Sequence, residues 1–121
     1  MKTILVVDDE EAIMEMVCAF LESEGYQTVQ ANNGQQGLNY LSTVHPDVVL
    51  CDIMMPILDG RELCKKMQAD NDYHSIPIIL MSAAIKSLAQ SECRPAALLD
   101  KPFDLDDLLK TVQKVIKVTQ E

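Results

Sequence analysis

The chain has 121 residues, 48% of them hydrophobic, which suits a single domain with one packed core. Its formal net charge of -9 argues against direct binding of nucleic acid by this domain, because such binding surfaces are basic. No apolar stretch reaches the roughly 20 residues that a membrane-spanning helix needs. A strand predicted from Thr3 onwards leaves no room for a signal peptide, so we expect a cytoplasmic protein without a membrane partner.

Predicted strands and helices alternate along the first half of the chain. The β-branched apolar run Thr3–Val7 predicts a buried strand, and Glu10–Glu24 follows with apolar residues at helical spacing. The apolar face of this helix consists of Ile13, Val17, Phe20 and Leu21. A second strand over Tyr26–Gln30 and a second helix over Gln35–Val44 complete this half.

The second half continues the alternation. Its predicted strands are Asp47–Cys51, Pro77–Met81 and Ala97–Leu99. Its predicted helices are Arg61–Ala69, a short one over Lys86–Glu92, and a final helix that Asp104 caps. Five strands alternating with five helices, the fourth of them short, indicate an α/β fold with a doubly wound parallel sheet. In such a fold the ligand site lies beyond the carboxyl ends of the strands.

Polar residues that can handle a phosphate follow four of these strands. They are Asp8 and Asp9 after the first strand, Asp52 after the third, Ser82 after the fourth, and Lys101 after the fifth. Because the ends of parallel strands meet at one edge of a sheet, these side chains are predicted to share one pocket. Three carboxylates would repel each other there unless a cation were bound, and Mg²⁺ prefers such oxygen ligands.

This set of residues suits phosphoryl transfer, which depends mainly on positioning and charge neutralisation. Asp52 is the best candidate for a nucleophile that forms an acyl phosphate, because it ends the predicted central strand. Lys101 supplies a point charge for a phosphoryl oxygen, and Ser82 supplies a hydroxyl that could meet the new phosphate.

Each of these residues also has a simpler interpretation. Asp8 or Asp9 could cap the following helix, and Asp52 could be an ordinary loop acid. Ser82 could cap a short helix, and Lys101 could be a surface cation. Their joint occurrence at successive strand ends favours the phosphate site.

The cysteines and histidines give no sign of a second site. Cys18, Cys51, Cys64 and Cys93 lack the spacing of a zinc site and are predicted to be buried thiols. His45 and His74 are predicted to lie on the surface.

Taken together, these residues make the chain closely resemble the receiver domain of two-component response regulators, including the single-domain chemotaxis and sporulation types. The resemblance covers nearly all of residues 1–121. Its motifs are ILVVDDE at Ile4–Glu10, GYQTVQANNGQQGL at Gly25–Leu38, PDVVLCDIMMPILDG at Pro46–Gly60, PIILMSA at Pro77–Ala83 and DKPF at Asp100–Phe103. It implies a flavodoxin-like sheet with the strand order 2-1-3-4-5.

The resemblance implies a role for each site residue. Asp52 would accept the phosphoryl group from a phosphohistidine on a histidine kinase or histidine phosphotransfer protein. Asp9, Asp52 and the backbone carbonyl of Met54 would bind Mg²⁺ directly, and Asp8 would help through water. Lys101 would contact the acyl phosphate, and Ser82 would rotate toward it.

The resemblance also implies two interaction surfaces. The exposed side of the first helix, at Ala12, Ile13 and Met16, would dock the histidine donor. The surface of the fourth helix, fifth strand and fifth helix would change on phosphorylation and be recognised by a downstream effector domain or protein.

The chain departs from the family pattern at three places. Leu98 replaces the aromatic residue that often precedes the lysine by three positions, and Arg94-Pro95 replaces the expected Gly-Ala in a segment shorter than usual. Met54 and Ala84 occupy positions that tune phosphoryl lifetime in the family. Neither side chain can orient an attacking water by hydrogen bonding, so we predict slow self-hydrolysis.

Two other functions stay open on the sequence. The chain could be an aspartate-based phosphohydrolase whose nucleophile is Asp8, or a receiver-like interaction module that is never phosphorylated. The retained set of acids, serine and lysine argues against the unphosphorylated module.

Overall fold

The computed structural model describes residues 1–82 and 93–119, which form a five-stranded parallel sheet with helices on both faces. The strands are β1 (Thr3–Val7), β2 (Gln27–Ala31), β3 (Val48–Asp52), β4 (Ile78–Ser82) and β5 (Ala97–Asp100). The helices are α1 (Glu11–Ser23), α2 (Gly34–Val44), α3 (Gly60–Gln68) and α4 (Leu105–Thr119). The sheet order β2-β1-β3-β4-β5 confirms the predicted flavodoxin-like topology.

Two of the sequence predictions lie outside the described residues. The short helix over Lys86–Glu92 and the residue Ala84 both fall in the gap between Ser82 and Cys93. The count of five helices therefore stays a prediction, and the label α4 belongs here to the final helix.

The sheet separates two apolar cores because side chains alternate along each strand. Ile4 and Val6 of β1 pack with α1 and α4 on one face, and Leu5 and Val7 pack with α2 and α3 on the other. All five residues of β3 are buried, which confirms its predicted central position. Covered on both faces, such a strand is apolar throughout until its final residue, Asp52.

The buried face of α1 lies slightly to one side of the predicted one. Its buried residues are Met14, Val17, Cys18 and Leu21. Ile13 and Phe20, predicted to face the core, are only partly buried and pack against its margin. Ile13 is therefore left at the border between the core and the surface that faces the strand ends.

The remaining predictions about cysteine and histidine are confirmed. Cys18, Cys51, Cys64 and Cys93 are all buried, and His45 and His74 are exposed. Within the described ranges, no helix combines the length and apolar character needed to cross a membrane.

Candidate functional site

The carboxyl ends of four strands bring the predicted residues to one edge of the sheet. Asp52 and Ser82 are the last residues of β3 and β4, while Asp8 and Lys101 directly follow β1 and β5. Asp52 pairs in register with Met81 of the neighbouring strand, and the backbone N–H of Lys101 donates to the Ser82 carbonyl at 3.2 Å. The parallel ladder thus fixes the backbone positions of residues that lie far apart in sequence.

Polar side chains at this edge are unusually well buried. Asp8 is 0% exposed, Ser82 1% and Asp52 4%, and together they are the buried polar side chains of the described chain. Burying an ionised carboxylate is costly unless a compensating charge lies nearby. The burial of two carboxylates therefore calls for a cationic partner.

Lys101 supplies that positive charge. Its Nζ lies 3.2 Å from Asp52 Oδ2, 3.4 Å from Asp8 Oδ2 and 3.9 Å from Glu10 Oε1. The lysine side chain is itself only 16% exposed, so it is not the surface cation of the simpler interpretation. The ammonium group therefore lies among the buried carboxylates of Asp8 and Asp52 and the exposed carboxylate of Glu10.

Burial and charge both shift the acid–base behaviour of this group. Burial raises the pKa of Asp52; the Lys101 ammonium offsets part of this shift, and the charge of Asp8 adds to it. Burial would lower the pKa of Lys101, but Asp8 and Asp52 outweigh it, so this pKa is raised. Lys101 is therefore held in its charged form across the physiological range.

The helix-cap interpretation of Asp8 and Asp9 does not describe this structure. The N-cap of α1 is Glu10, and no side chain caps that helix end. Asp8 instead accepts a hydrogen bond from the backbone N–H of Glu10 at 2.9 Å through Oδ1 and faces Lys101 through Oδ2. Asp8 is thus built into the site itself.

Three carboxylates lie close enough to share a cation. Oxygens of Asp8, Glu10 and Asp52 all lie within 4.8 Å of one another. Such a hard-oxygen donor set fits Mg²⁺, as predicted, although Glu10 was not among the predicted ligands. In the described part of the chain, Asp9 is exposed and does not belong to this set.

Glu10 is thus the site residue that the sequence analysis missed. The available signal was the run of three consecutive acids, Asp8 to Glu10, at the end of β1. A side-chain direction at the start of a helix cannot be derived from hydrophobic periodicity, because periodicity reports only which face is buried.

The loop after Asp52 forms one wall of the site. Its Met54 backbone hydrogen-bonds the Asp52 carboxylate, which lowers the pKa of Asp52 against the effect of burial. The Met54 side chain is 60% exposed and Ile57 78% exposed. At the far end of the loop, the Gly60 N–H donates to the Ile53 carbonyl at 2.9 Å.

Glycine is required at position 60 by this close approach. A Cβ there would lie 2.5 Å from the Asp52 carbonyl oxygen, which is closer than real Cβ atoms come to backbone atoms. The Asp59-Gly60 pair that marks a turn in the sequence therefore also lets α3 begin directly beside the phosphoacceptor candidate.

An apolar groove of about 330 Å³ opens beside Lys101. It is lined by Ile13 and Met16 of α1 and by Pro102 and Phe103 after β5. Two of the three residues predicted to dock a donor thus border the groove, and the third, Ala12, is exposed on the same helix.

Known proteins similar to this chain belong to one family. A family model described as the response regulator receiver domain matches residues 4–113. The regulatory protein AtoC of Escherichia coli is 37% identical over 118 residues, covering 95% of this chain and 25% of that protein. The response regulator MprA of Mycolicibacterium vanbaalenii is 33% identical, covering 96% of this chain and 51% of that protein. The chain therefore spans between a quarter and about half of these relatives.

Solved structures show the same fold. The receiver domain of a signal transduction histidine kinase from Syntrophus aciditrophicus has a TM-score of 0.88 and 30% identity, covering 97% of this chain and 91% of that one. The chemotaxis protein CheY4 of Vibrio cholerae has a TM-score of 0.87 and 30% identity, covering 95% and 98%. A Pseudomonas aeruginosa sensor kinase receiver domain, with a TM-score of 0.88, 26% identity and coverage of 96% and 98%, was solved with magnesium coordinated in its active site cleft.

The family match extends over most of the chain and includes every strand of the sheet except for Thr3, the first residue of β1. Membership of this family implies signalling that depends on phosphorylation, and receiver domains act as switches in two-component systems. The chain belongs to the response regulator receiver domain family.

Proposed function

We propose that this chain, residues 1–121, is a single receiver domain that takes a phosphoryl group onto Asp52 and thereby changes its binding surface. An ionised oxygen of Asp52 attacks the phosphorus of a phosphohistidine, the P–N bond breaks, and the imidazole leaves. The observation that supports this assignment best is the contact of 3.2 Å between buried Asp52 and Lys101. This contact would bring the nucleophilic carboxylate of Asp52 next to the ammonium group of Lys101, which would bind a phosphoryl oxygen.

The electrostatics of the site favour this reaction over other uses of the carboxylates. The raised pKa of Lys101 keeps a positive charge available for a phosphoryl oxygen, and the same charge offsets the burial of Asp52. When bound, Mg²⁺ would supply further charge neutralisation to the transferring group. In accordance with the family resemblance, we assign its ligands to Asp9, Asp52 and the Met54 carbonyl, with Asp8 contributing through water. The exposed side chain of Asp9, which lies outside the cluster of Asp8, Glu10 and Asp52, would have to turn toward Asp52 to take this part.

We propose that the donor is a histidine kinase or a histidine phosphotransfer protein. The groove lined by Ile13, Met16, Pro102 and Phe103 is apolar and reaches Lys101, so a helical donor seated there would bring its histidine toward Asp52. The exposed position of Ala12 extends this surface along α1. Docking of an apolar partner face would also exclude water from the acyl phosphate.

We assign the output of the switch to a second surface, around β5. We propose that Ser82 moves toward the new phosphate and that the surface around β5 is then recognised by a downstream effector domain or protein. Leu98 on β5 is 45% exposed, which makes it a contact residue where the family often has an aromatic ring. We further propose a cytoplasmic setting, with no direct nucleic-acid contact by this acidic domain.

The structure gives reasons to prefer Asp52 over Asp8 as the nucleophile. Both carboxylates contact Lys101, and each also accepts a backbone hydrogen bond, from Glu10 for Asp8 and from Met54 for Asp52. Asp8 is 0% exposed, whereas Asp52 keeps 4% and lies at the mouth of the site. Asp52 is thus the more accessible of the two carboxylates, which supports it as the nucleophile.

Mass spectrometry after treatment with acetyl phosphate and Mg²⁺ tests the proposal. We expect one added phosphoryl group, lost in Asp52→Asn and retained in the exposed-acid control Asp72→Asn. Labelling that maps to Asp8 would instead support the phosphohydrolase. No labelling by acetyl phosphate or by a cognate phosphohistidine protein would support the unphosphorylated interaction module.

A further inference from the structure

Glu10 lies inside the candidate cation site although the family resemblance gives it no role. One of its carboxylate oxygens lies within 4.8 Å of oxygens of Asp8 and Asp52, and Oε1 is 3.9 Å from Lys101 Nζ. We propose that Glu10 is an additional carboxylate ligand of the Mg²⁺ bound by this site. The inference rests on the proposed function, because it refines the metal site that phosphoryl transfer would use.

The three carboxylates, which surround Lys101 Nζ, would have to move closer together to bind Mg²⁺ directly. Octahedral coordination at 2.0–2.1 Å puts neighbouring ligand oxygens about 2.9 Å apart and opposite ones about 4.2 Å apart. Oxygens that already lie within 4.8 Å need to approach by at most about two ångströms. The Glu10 side chain is 58% exposed and unbranched, so rotation of its own bonds can provide this movement.

The backbone of Glu10 is fixed while its side chain can turn. Its N–H donates to Asp8 Oδ1 at 2.9 Å, and its carbonyl accepts from the Met14 N–H at 3.0 Å in the first turn of α1. A ligand on a fixed backbone loses less conformational freedom on binding than one on a mobile loop. Glu10 is thus held where a cation at Asp8 and Asp52 is within its reach.

Charge balance also favours a divalent cation beside Glu10. When ionised, Asp8, Glu10 and Asp52 carry three negative charges against the single positive charge of Lys101. Lys101 is closer to Asp52 and Asp8, at 3.2 and 3.4 Å, than to Glu10 at 3.9 Å. Glu10 is therefore the carboxylate that Lys101 neutralises least. These three carboxylates keep a net charge of -2, to which Asp9 would add one more negative charge, so the site favours a dication.

The ligands implied by the resemblance leave room for Glu10. Asp9, Asp52 and the Met54 carbonyl would fill about half of an octahedral shell, and the rest would be taken by water or further oxygens. Glu10 would then replace one of those waters. Unlike a water, it brings a negative charge, so its loss should weaken binding of the cation.

The test compares the Mg²⁺ affinity of two glutamate variants of the full chain by backbone amide NMR titration. For Glu10→Gln we expect at least about a tenfold loss, because even outer-shell partners of metal ligands typically cost 10–100-fold. The matched control is Glu11→Gln, an exposed acid in the first turn of α1 that loses the same charge. At an ionic strength of about 0.15 M, screening should hold its effect below about twofold.

A double-variant cycle separates ligation from an indirect effect through Lys101. If Glu10 binds the cation, the loss caused by Glu10→Gln persists when Lys101→Met is also present. If the loss disappears in that background, Glu10 acts only by positioning Lys101, and the proposal is overturned. Equal affinities of the Glu10→Gln and Glu11→Gln variants would overturn it as well.

A measurement on the unmodified chain covers the case in which a variant does not fold. During the Mg²⁺ titration, the carboxyl carbon signals of Glu10 and Asp52 should shift with one shared midpoint. A Glu10 signal that stays unchanged while Asp52 shifts would overturn this inference and leave the proposed function standing. If neither signal shifts and Asp52 is not phosphorylated, the proposed function itself is wrong.

Discussion

At the scale of single residues, burial disfavours the ionised form of Asp52. Its folded-state pKa is raised above the ordinary value of 3.8, chiefly by burial. The folded protein therefore binds this proton more readily than the unfolded chain, and the free energy of unfolding falls as pH rises from 3.8 through the raised pKa. Above that window the ionised Asp52 destabilises the metal-free fold.

We expect Asp52→Asn to be more stable than the unmodified protein at pH 7 in the presence of EDTA. The difference should shrink toward zero as pH falls below 3.8, where both states of the unmodified protein hold the proton. Urea unfolding followed by circular dichroism at several pH values measures it, with Asp72→Asn as the exposed control. A destabilised Asp52→Asn at pH 7 would contradict the expected sign.

Ile57 occupies a strained backbone conformation in the loop that borders the site. Its φ is 72°, and the Leu58 N–H donates to the Pro56 carbonyl across it at 2.8 Å. This is a γ-turn with a positive φ at its central residue, the rarer form of that turn. A β-branched residue adopts it only at a cost in conformational free energy. Because the Ile57 side chain is 78% exposed, its packing contributes little stability to offset that cost.

We expect Ile57→Gly to raise the free energy of unfolding by about 1 kcal/mol, because relief of about 1–3 kcal/mol of strain exceeds the entropic cost of glycine. Ile57→Ala keeps the Cβ and is the matched control, with a smaller gain. Urea unfolding of both variants gives the comparison. A glycine variant less stable than the alanine variant would show that position 57 is not strained.

Met54 bears on the lifetime of the phosphorylated state. Its side chain is 60% exposed beside Asp52 and offers only a weak sulfur acceptor to a water molecule. We expect Met54→Asn to shorten the half-life of the acyl phosphate, since an amide can orient the attacking water. Decay of radiolabel gives the rate, with Asp72→Asn as an exposed control away from the site. A half-life of seconds in the unmodified protein would contradict the predicted slow hydrolysis.

At the scale of elements, the start of α3 connects helix capping to the site. The Asp59 side chain accepts from the Glu62 N–H at 2.9 Å, and the Glu62 side chain accepts from the Asp59 N–H at 3.3 Å. This capping box fixes the direction in which α3 leaves the loop, immediately before the glycine that contacts the Asp52 carbonyl. A change in the cap should therefore reach the site through the backbone.

We expect Asp59→Ala to lower the free energy of unfolding by about 1 kcal/mol, the usual cost of losing an N-cap acceptor. Asp59→Asn keeps an acceptor oxygen and should lose much less. Thermal and urea unfolding compare the two variants. Equal losses in both would assign the effect to the charge of Asp59, which also lies 3.2 Å from Arg61, and not to the cap.

The elements also show how much of this structure follows from sequence pattern. β1 has the predicted bounds, whereas β2, β3 and β4 each begin and end one residue later than predicted, and β5 ends one residue later, at Asp100. Hydrophobic patterning predicts a strand only as far as its apolar residues, whereas backbone pairing continues under polar ones. Asp52 is still paired with Met81, and Ser82 with Asp100.

The candidate site was predictable as a set of residues but not in its internal contacts. The convergence of Asp8, Asp52, Ser82 and Lys101 follows from the parallel sheet alone. The inclusion of Glu10, and the exposure of Asp9, depend on side-chain rotation at the first turn of α1. No periodic pattern encodes such a rotation, because exposed side chains are not constrained by burial.

At the scale of the whole molecule, we expect the acidic site to make the free energy of unfolding depend on divalent cations. A ligand that binds only the folded state adds about 2.7 kcal/mol at a concentration of 100 Kd. We expect Mg²⁺ to raise the Tm of the unmodified protein and to raise that of Asp52→Asn much less. Calorimetry with NaCl at equal ionic strength controls for screening, and equal shifts in both proteins would exclude Asp52 from the cation site.

The contact between Lys101 and Asp8 joins residues 93 positions apart in the chain. Such a non-local contact forms late in folding, because a long loop must close before it brings any gain. During synthesis, Asp8, Glu10 and Asp52 would therefore leave the ribosome long before Lys101, the cation that they contact. A partly made or partly folded chain has no ammonium group at Asp52, so it could not accept a phosphoryl group effectively. If Asp52 is the phosphoacceptor, as we propose, its phosphorylation would require that the polypeptide has folded as far as its fifth strand.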